Sequence, residues 1–317
     1  MEEKKYKYRF TLYTPCFCSA NFIDRIKQTI DGQTFRDFEW IVINDASTDN
    51  TSELLQEYIK TVDVPVKFFD LKKNQMIAAN ANLAVEHAEG EIFIGLGHDD
   101  IYLPNMLELF NQLYNQYNAD DIGGIIARCQ TQYGKITPIP FTKTIMSYWE
   151  YGVDKNGRYS GEAPCAWKTD VLRKYMPFDP KELIGPAIGP LMSCDGYKFI
   201  TTNEIVRKYY VYEKGGHSLS KYSNKYALHS YRAALRKINL FSQHYYMSPS
   251  VKRKLCLDYA TGAIRSNISF INAIKAAERF KSLIILSYPL AYLRVFAASI
   301  EPVFRIYKTL QNARMKH

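Results

Sequence analysis

The chain has 317 residues, 47% of them apolar and 14% aromatic, a globular composition with length enough for one large α/β domain and appended helices. Its net charge of +9 is unevenly placed: residues 221–317 hold 17 Lys and Arg against 3 Asp and Glu, a net of +14, while the first 220 hold 24 against 29, a net of −5. The chain thus has an acidic front and a basic, aromatic-rich back, and such a tail suits an anionic surface, either a membrane leaflet or nucleic acid.

The charged start, Met1-Glu2-Glu3-Lys4-Lys5, leads into only a short strand-like run and predicts neither signal nor transit peptide. The longest apolar stretch, residues 282–304, is interrupted by Arg294 and Glu301, so no membrane-spanning helix is expected. The six cysteines show no paired spacing beyond Cys16-x-Cys18, which lacks the second ligand pair of a zinc site. Reduced thiols of a cytoplasmic protein are the expectation.

In chain order, Phe10 to Tyr13 begins a strand ending at Thr14-Pro15, and residues 23–30 space apolar side chains as a helix does. Residues 39–43 form a second strand running into Asn44-Asp45-Ala46-Ser47-Thr48-Asp49-Asn50. A helix over 51–61 follows, with Asn50 as its cap and Glu53 closing a capping box. A strand over 64–69, a helix over 77–88, a strand over 91–96, a helix over 105–116 and a strand over 122–129 continue the alternation. Such alternation predicts a mostly parallel, doubly wound sheet with helices on both faces. Residues 133–164 read as loop, 166–175 as helix, 178–190 as a Pro/Gly-rich stretch and 197–212 as mixed strand. From 224 onward the pattern is helical, which places a boundary near residue 220: a catalytic domain over 1–220 and a basic helical region over 221–317.

Two strand ends carry the chemistry. The apolar run Ile92-Phe93-Ile94-Gly95-Leu96 delivers Gly97-His98-Asp99-Asp100, and Ile41-Val42-Ile43 delivers Asp45 on the same side of a parallel sheet. In open α/β sheets ligands collect at the carboxyl ends of strands, and paired carboxylates there supply the hard oxygens that Mg²⁺ or Mn²⁺ prefers. The plainer alternative, that Asp49 and Asn50 only shape a turn and cap a helix, stands for those two residues.

Thr14-Pro15, Gln33-Thr34-Phe35, the run from Phe38 to Thr51, Asn74, Asn82, Ala88-x-Gly90-Glu91 and Asp99-Asp100-x-Tyr102-x-Pro104 together resemble the family 2 glycosyltransferases over roughly residues 10–110. The resemblance implies the A-type glycosyltransferase fold, a nucleotide-sugar donor with UDP as the expected nucleotide, an Mn²⁺ or Mg²⁺ cofactor and inversion at the anomeric carbon. It also implies that Thr14 and Pro15 lie along the nucleotide, that Asp45 hydrogen-bonds the base, and that Asn74 and Asn82 line the nucleotide side. The family's Asp-x-Asp pattern falls on Gly97-His98-Asp99, making Asp99 the metal ligand, with Asp100 its helper or a helix cap. Three positions depart from the pattern: Gly97 removes the first carboxylate, with His98 as the substitute within reach on the donor side, and Met76 and Ala81 replace the family's Gly and Arg.

Transfer also needs a base for the acceptor hydroxyl. Members of the family often supply it in a Glu-Asp pair, which this chain lacks between residues 160 and 200. Asp179, Glu182 and Asp195 are its candidates, and Glu182 is preferred for its place in a Gly/Pro-rich loop. Tyr209 to Ser220 resembles the segment that closes over the donor diphosphate, where His217 would touch phosphate; a plain turn at Gly215-Gly216 is the alternative. Trp149 and Trp167 are either acceptor platforms or core.

The tail sets Leu, Ile, Tyr and Phe among Arg294, Arg305, Lys308, Arg314 and Lys316, which suits either an interfacial helix pair on an anionic membrane or ordinary helices packed on the domain. The expectation is a glycosyltransferase of surface polysaccharide synthesis acting on a glycan or lipid-linked acceptor, peripheral on the inner membrane face, with no nucleic-acid partner. Its rival is a non-catalytic nucleotide-sugar-binding or scaffold protein on the same fold.

Overall fold

The computed structural model describes residues 5–211 and 226–314, with the last helix described by its backbone alone beyond residue 298. The chain divides into two compact units, Met1–Leu219 and Ser220–His317.

The strands of the first unit are β1 (Tyr8–Cys16), β2 (Phe38–Asn44), β3 (Val66–Asp70), β4 (Gly90–Gly95), β5 (Ile101–Tyr102), β6 (Ile122–Thr131), β7 (Ile136–Thr137), β8 (Ile145–Met146), β9 (Cys165–Lys168) and β10 (Lys198–Tyr209). They form one sheet in the order β3-β2-β1-β4-β9-β6-β10-β5, with β7 on β6 and β8 on β10. The half from β3 to β4 is parallel throughout. Strand β9 then runs antiparallel between β4 and β6, and β10 returns parallel to β6.

Residues alternate strictly between the two faces of this sheet. Phe10, Leu12, Phe38, Trp40 and Val42 pack on one side with the helices α1 (Ile23–Asp31), α2 (Thr51–Ile59) and α4 (Met106–Tyr117). Tyr13, Ile41, Ile43 and Phe93 pack on the other with α3 (Met76–His87), α5 (Tyr148–Tyr151), α6 (Thr169–Arg173) and α7 (Ile188–Cys194). Every residue of β2 is buried, because that strand is flanked on both edges and covered on both faces. Burying each such Phe or Ile contributes about 1.5–3 kcal/mol.

Residues 166–175, expected as a helix, instead begin with strand β9 and turn helical only at Thr169. Four residues are too few to show a period, and their state is decided by β4 and β6 offering free edges on both sides. Gly124 permits that insertion: a Cβ there would lie 2.1 Å from the Ala166 carbonyl oxygen. At α2, Asn50 occupies the cap position without a side-chain bond, and Asp49 does the capping by accepting from the Thr51 N–H at 3.2 Å. All six cysteines are free thiols.

The second unit consists of α8 (Ala227–Asn239), α9 (Pro249–Arg265), α10 (Phe270–Ala276) and α11 (Lys281–Arg314). Ser248 and Ser269 cap α9 and α10, accepting from the N–H groups of Val251 and Asn272, and Pro249 sits at the first helical turn. Tyr231 and Tyr259 stack at 5.0 Å in its core, with Ala260, Ala263, Ile284 and Ala291 around them. Within α11, the 18 residues Lys281–Ala298 reach a mean hydropathy of 1.2 and are only 17% buried, so by length and composition alone they could cross a membrane. The sequence had predicted no such segment, because Arg294 and Glu301 interrupt the run; the two cations within these 18 residues, Lys281 and Arg294, do not bring the average down far enough.

Candidate functional site

Strands β1, β2 and β4 end together, with Cys16 beside Asn44 and Tyr13 beside Gly95, so their following loops share one edge of the sheet. The end of β6, the start of β9 and the end of β10 lie on that edge too, by the parallel and antiparallel pairings among them. Six chain segments therefore deliver polar side chains to one rim.

At the β2 end, Asp45 is 4% exposed. Its Oδ1 accepts from the Gln75 N–H at 2.7 Å and its Oδ2 from the Met76 N–H at 3.0 Å. The carboxylate thus satisfies two orphan donors at the N-terminus of α3, where negative charge also suits the helix dipole. Base contact had been expected of Asp45; the structure gives both oxygens first to protein N–H groups. Met76 and Ala46 adopt φ of 69° and 57°, left-handed values that cost a side-chain-bearing residue about 1–2 kcal/mol. Strain is therefore gathered around Asp45. Met76→Gly is expected to relieve it and stabilise the protein by about 0.5–1 kcal/mol, read as a small rise in the urea midpoint; an unchanged or lower midpoint would show that the Met76 side chain is contributing packing of equal worth.

One residue earlier, Asn74 Oδ1 is buried without a hydrogen-bond partner. A buried acceptor left unmade costs roughly 1–3 kcal/mol, which a ligand N–H or O–H would recover.

Three expected contact residues have other employment. Thr14 points into the core, where its Oγ1 accepts from Trp40 Nε1 at 3.0 Å. Asn82 pairs with the backbone of Phe178 in both directions, Nδ2 donating to the carbonyl at 2.8 Å and Oδ1 accepting from the N–H at 2.7 Å. Both halves of its amide are consumed, so it tethers the 178–183 loop to α3 rather than facing a nucleotide. Glu182 ends the short 3₁₀ turn of that loop and is 3% exposed, not the solvated loop acid its surroundings suggested. Pro15 does reach the rim, its carbonyl accepting from His98 Nδ1–H at 3.1 Å while the His98 ring packs 5.5 Å from Phe22. His217 lies outside the described residues.

The β4 end is the centre of the rim. A Cβ on Gly97 would stand 3.2 Å from Asp99 Oδ1 and 3.1 Å from Asp100 Oδ2, so a side chain here would crowd both carboxylates. The family's missing first carboxylate is thus missing where two others already fill the space. Asp99 is half-buried, and among the described residues no hydrogen bond or ion pair engages its carboxylate. Its backbone carbonyl accepts from Arg25 Nη1 at 2.5 Å, and the Arg25 guanidinium lies 3.8 Å over the Tyr210 ring.

Asp100, expected beside the metal, faces protein donors instead. Its Oδ1 accepts from the Tyr210 N–H at 2.9 Å and its Oδ2 stands 3.6 Å from Arg207 Nη1, with Asp100 and Arg207 only 4% and 7% exposed. Burial raises its pKa to about 6, against the opposing pull of Arg207 and the Tyr210 N–H. Arg207 also approaches Glu162 Oε1 at 3.9 Å and the Cys129 sulfur at 3.5 Å. Glu162, just before β9, keeps 46% of its side chain exposed and accepts from the Tyr159 hydroxyl at 3.1 Å.

Sequence reasoning missed Arg25, Glu162 and Arg207. Arg25 is on the polar side of α1, and Glu162 sits in a segment read as loop. Arg207 alternates correctly within a strand-like run, but nothing local marks an arginine whose charge is buried.

The residues fit a divalent cation held in the manner of Mg²⁺, by one carboxylate with substrate phosphates and water completing the shell: Asp99 offers that carboxylate. Among the described residues no group of three or more His, Cys, Asp or Glu converges as an all-protein metal cage.

Residues 11–168 match the profile of Glycosyl transferase family 2. The chain belongs to that family. The teichoic acid poly(glycerol phosphate) polymerase of Staphylococcus epidermidis is 30% identical over 119 residues, 38% of this chain and 16% of the relative. The chain spans well under half the length of the first curated relatives it matches. Among solved structures, S. aureus TarS 1-349 in complex with UDP-GlcNAc superposes with a TM-score of 0.57 at 16% identity, covering 88% of this chain and 79% of that one. The mannosyltransferase PcManGT of Pyrobaculum calidifontis, in complex with GDP-Man and Mn²⁺, gives 0.53 at 18% identity over 97% and 85%. The family 2 member thus has the A-type glycosyltransferase fold anticipated from its motifs, with a mixed sheet covered on both faces and C-terminal helices.

Proposed function

We propose that this family 2 glycosyltransferase moves a sugar, with inversion, from a nucleoside-diphosphate sugar to a hydroxyl of a glycan or lipid-linked acceptor in surface polysaccharide synthesis. The observation that carries the reading is the uncommitted Asp99 carboxylate at the β4 end, flanked by Arg25 and by the buried Arg207–Asp100 pair. A UDP donor is favoured by the complexes of similar fold that hold UDP-GlcNAc, although another holds GDP-Man.

In the proposed mechanism Asp99 would hold Mn²⁺ or Mg²⁺, which when bound neutralises the charge developing on the departing diphosphate. The donor base would lie against Asp45 and the Asn74–Met76 turn, where the buried Asn74 Oδ1 has no hydrogen-bond partner and could accept from it. The acceptor oxygen attacks the anomeric carbon as the bond to the diphosphate oxygen breaks. Glu162 takes the acceptor proton, since its carboxylate is exposed on the rim, 3.9 Å from Arg207. Asp100 acts through Arg207, positioning that guanidinium rather than touching substrate.

Buried Glu182 and the absent Glu-Asp pair favour one rival, a protein that binds donor without turnover. A panel of UDP- and GDP-sugars with Mn²⁺ or Mg²⁺, scored for released nucleotide, separates the two readings; no release with any donor, alongside measurable nucleotide binding, would establish the rival. Glu162→Gln is expected to lower transfer about a hundredfold with donor affinity unchanged. Equal loss in donor affinity would assign Glu162 to binding instead.

The basic second unit supports work at an anionic membrane leaflet on the cytoplasmic side, where a lipid-linked acceptor would be found.

A further inference from the structure

The second unit carries two features that the transfer reaction does not use. Between α8, α9 and α11 lies a cavity of about 210 Å³, roughly seven times a water's share of liquid volume. Lys237, Arg265 and Arg294 line it, together with Ser230, His229 and a single acid, Asp258, which pairs with Arg294 at 2.7 Å. Three cations against one carboxylate leave the cavity with a net charge of +2, and the hydroxyl adds a neutral donor. This is the chemistry of a phosphate site.

The second feature adjoins the first. Ile284, Tyr288 and Ala291 bury one side of α11, while Ile285, Leu286, Leu290, Leu293 and Phe296 are exposed. At about 100° per residue those five fall on one arc of roughly 140°, opposite the buried stripe. No acidic residue occurs between Lys281 and Ala298. Arg294 stands at the margin of the apolar arc and also lines the cavity, so phosphate chemistry and apolar surface meet at one residue.

We infer that this cavity seats the phosphate of an anionic membrane lipid while the exposed arc of α11 lies among the neighbouring acyl chains. An apolar helix face alone would suit a second copy equally well, but docking two copies here would bring two basic cavities together; an anionic leaflet answers both features at once. The inference specifies the membrane contact proposed above, and it stands or falls separately from the transfer chemistry.

The test uses the full chain and sedimentation with vesicles of phosphatidylcholine, with and without 30 mol% phosphatidylglycerol. Binding is expected to anionic vesicles and to be lost on pure phosphatidylcholine. Lys237→Gln with Arg265→Gln should weaken it roughly 25-fold, about fivefold per cation, whereas Lys60→Gln, an exposed lysine on the first unit, should leave it unchanged. Leu290→Ser with Leu293→Ser should weaken it as well without lowering the melting temperature, since both side chains are exposed. Equal binding to both vesicle types, no binding to either, or a Lys237/Arg265 variant that binds normally would each overturn the inference. Inorganic phosphate raising the melting temperature of a protein that ignores vesicles would reassign the cavity to a soluble phosphate. Nucleotide release from a soluble donor reports on the transfer reading independently of every one of these outcomes.

Discussion

Asp99→Asn is expected to lower nucleotide release and transfer by about 10²–10³-fold while leaving the melting temperature within a degree or two of the parent. The two halves of this expectation have one cause. Among the described residues the Asp99 carboxylate holds no partner, so its loss removes no folded-state bond. Its backbone carbonyl, which receives Arg25, is untouched by the substitution. What disappears is a hard, charged oxygen donor at the β4 end that, among the described residues, protein groups have not taken. Asparagine keeps the shape and a neutral carbonyl, so a drop in activity would be specific to charge. The measurement is released nucleotide over a range of Mn²⁺ concentrations beside a thermal melt. Full activity in this variant sinks the proposed metal role, and lost activity with a collapsed melt would mean that Asp99 is structural.

Arg207→Met should cost about 3–5 kcal/mol of stability, the largest effect expected of any single change in the first unit. Methionine approximates the stem but leaves Asp100, 4% exposed, without its cation. Changing both partners, Arg207→Met with Asp100→Asn, should recover most of the loss, since no buried charge then remains. Dependence on pH gives a second check. The Asp100 pKa is raised to about 6 in the folded protein from an ordinary value near 3.8. Its protonation therefore favours folding and its ionisation opposes it: the stabilising contribution is full below about pH 4 and is lost as pH rises through about 6. Without Arg207 that pKa climbs further, so the single variant should regain stability on acidification from pH 7 to 5 more steeply than the parent does. Urea midpoints at the two pH values measure this; parallel profiles would show that Arg207 and Asp100 are not energetically coupled.

The alternation of short apolar runs with amphipathic helices was legible because burial on both faces of a sheet leaves a period that few other structures produce. Strand β9 was not legible: Cys165 to Lys168 is shorter than any period, and its pairing comes from strands β4 and β6, 70 and 40 residues earlier. The strand-end positions of Asp45 and Asp99 were legible because each follows an apolar run, a property of local sequence. The partners of Asn82 and the burial of Glu182 were not legible for the opposite reason. Each is a polar residue whose role depends on a partner or a cover that the local sequence does not name, the Phe178 backbone for one and burial for the other.

What the sequence determined by itself was the family, the parallel sheet half, the rim on which a donor would sit and the boundary in charge near residue 220. These follow from hydrophobic period, strand-end position and composition, all of which are written along the chain. Only the tertiary structure decided which carboxylates on that rim are free. Asp100 is bound to a residue more than a hundred positions later, Glu162 is brought in by an antiparallel strand, and among the described residues none folds back to engage the Asp99 carboxylate. Commitment of a charge depends on distance and burial, and distance between remote residues exists only once the chain is folded.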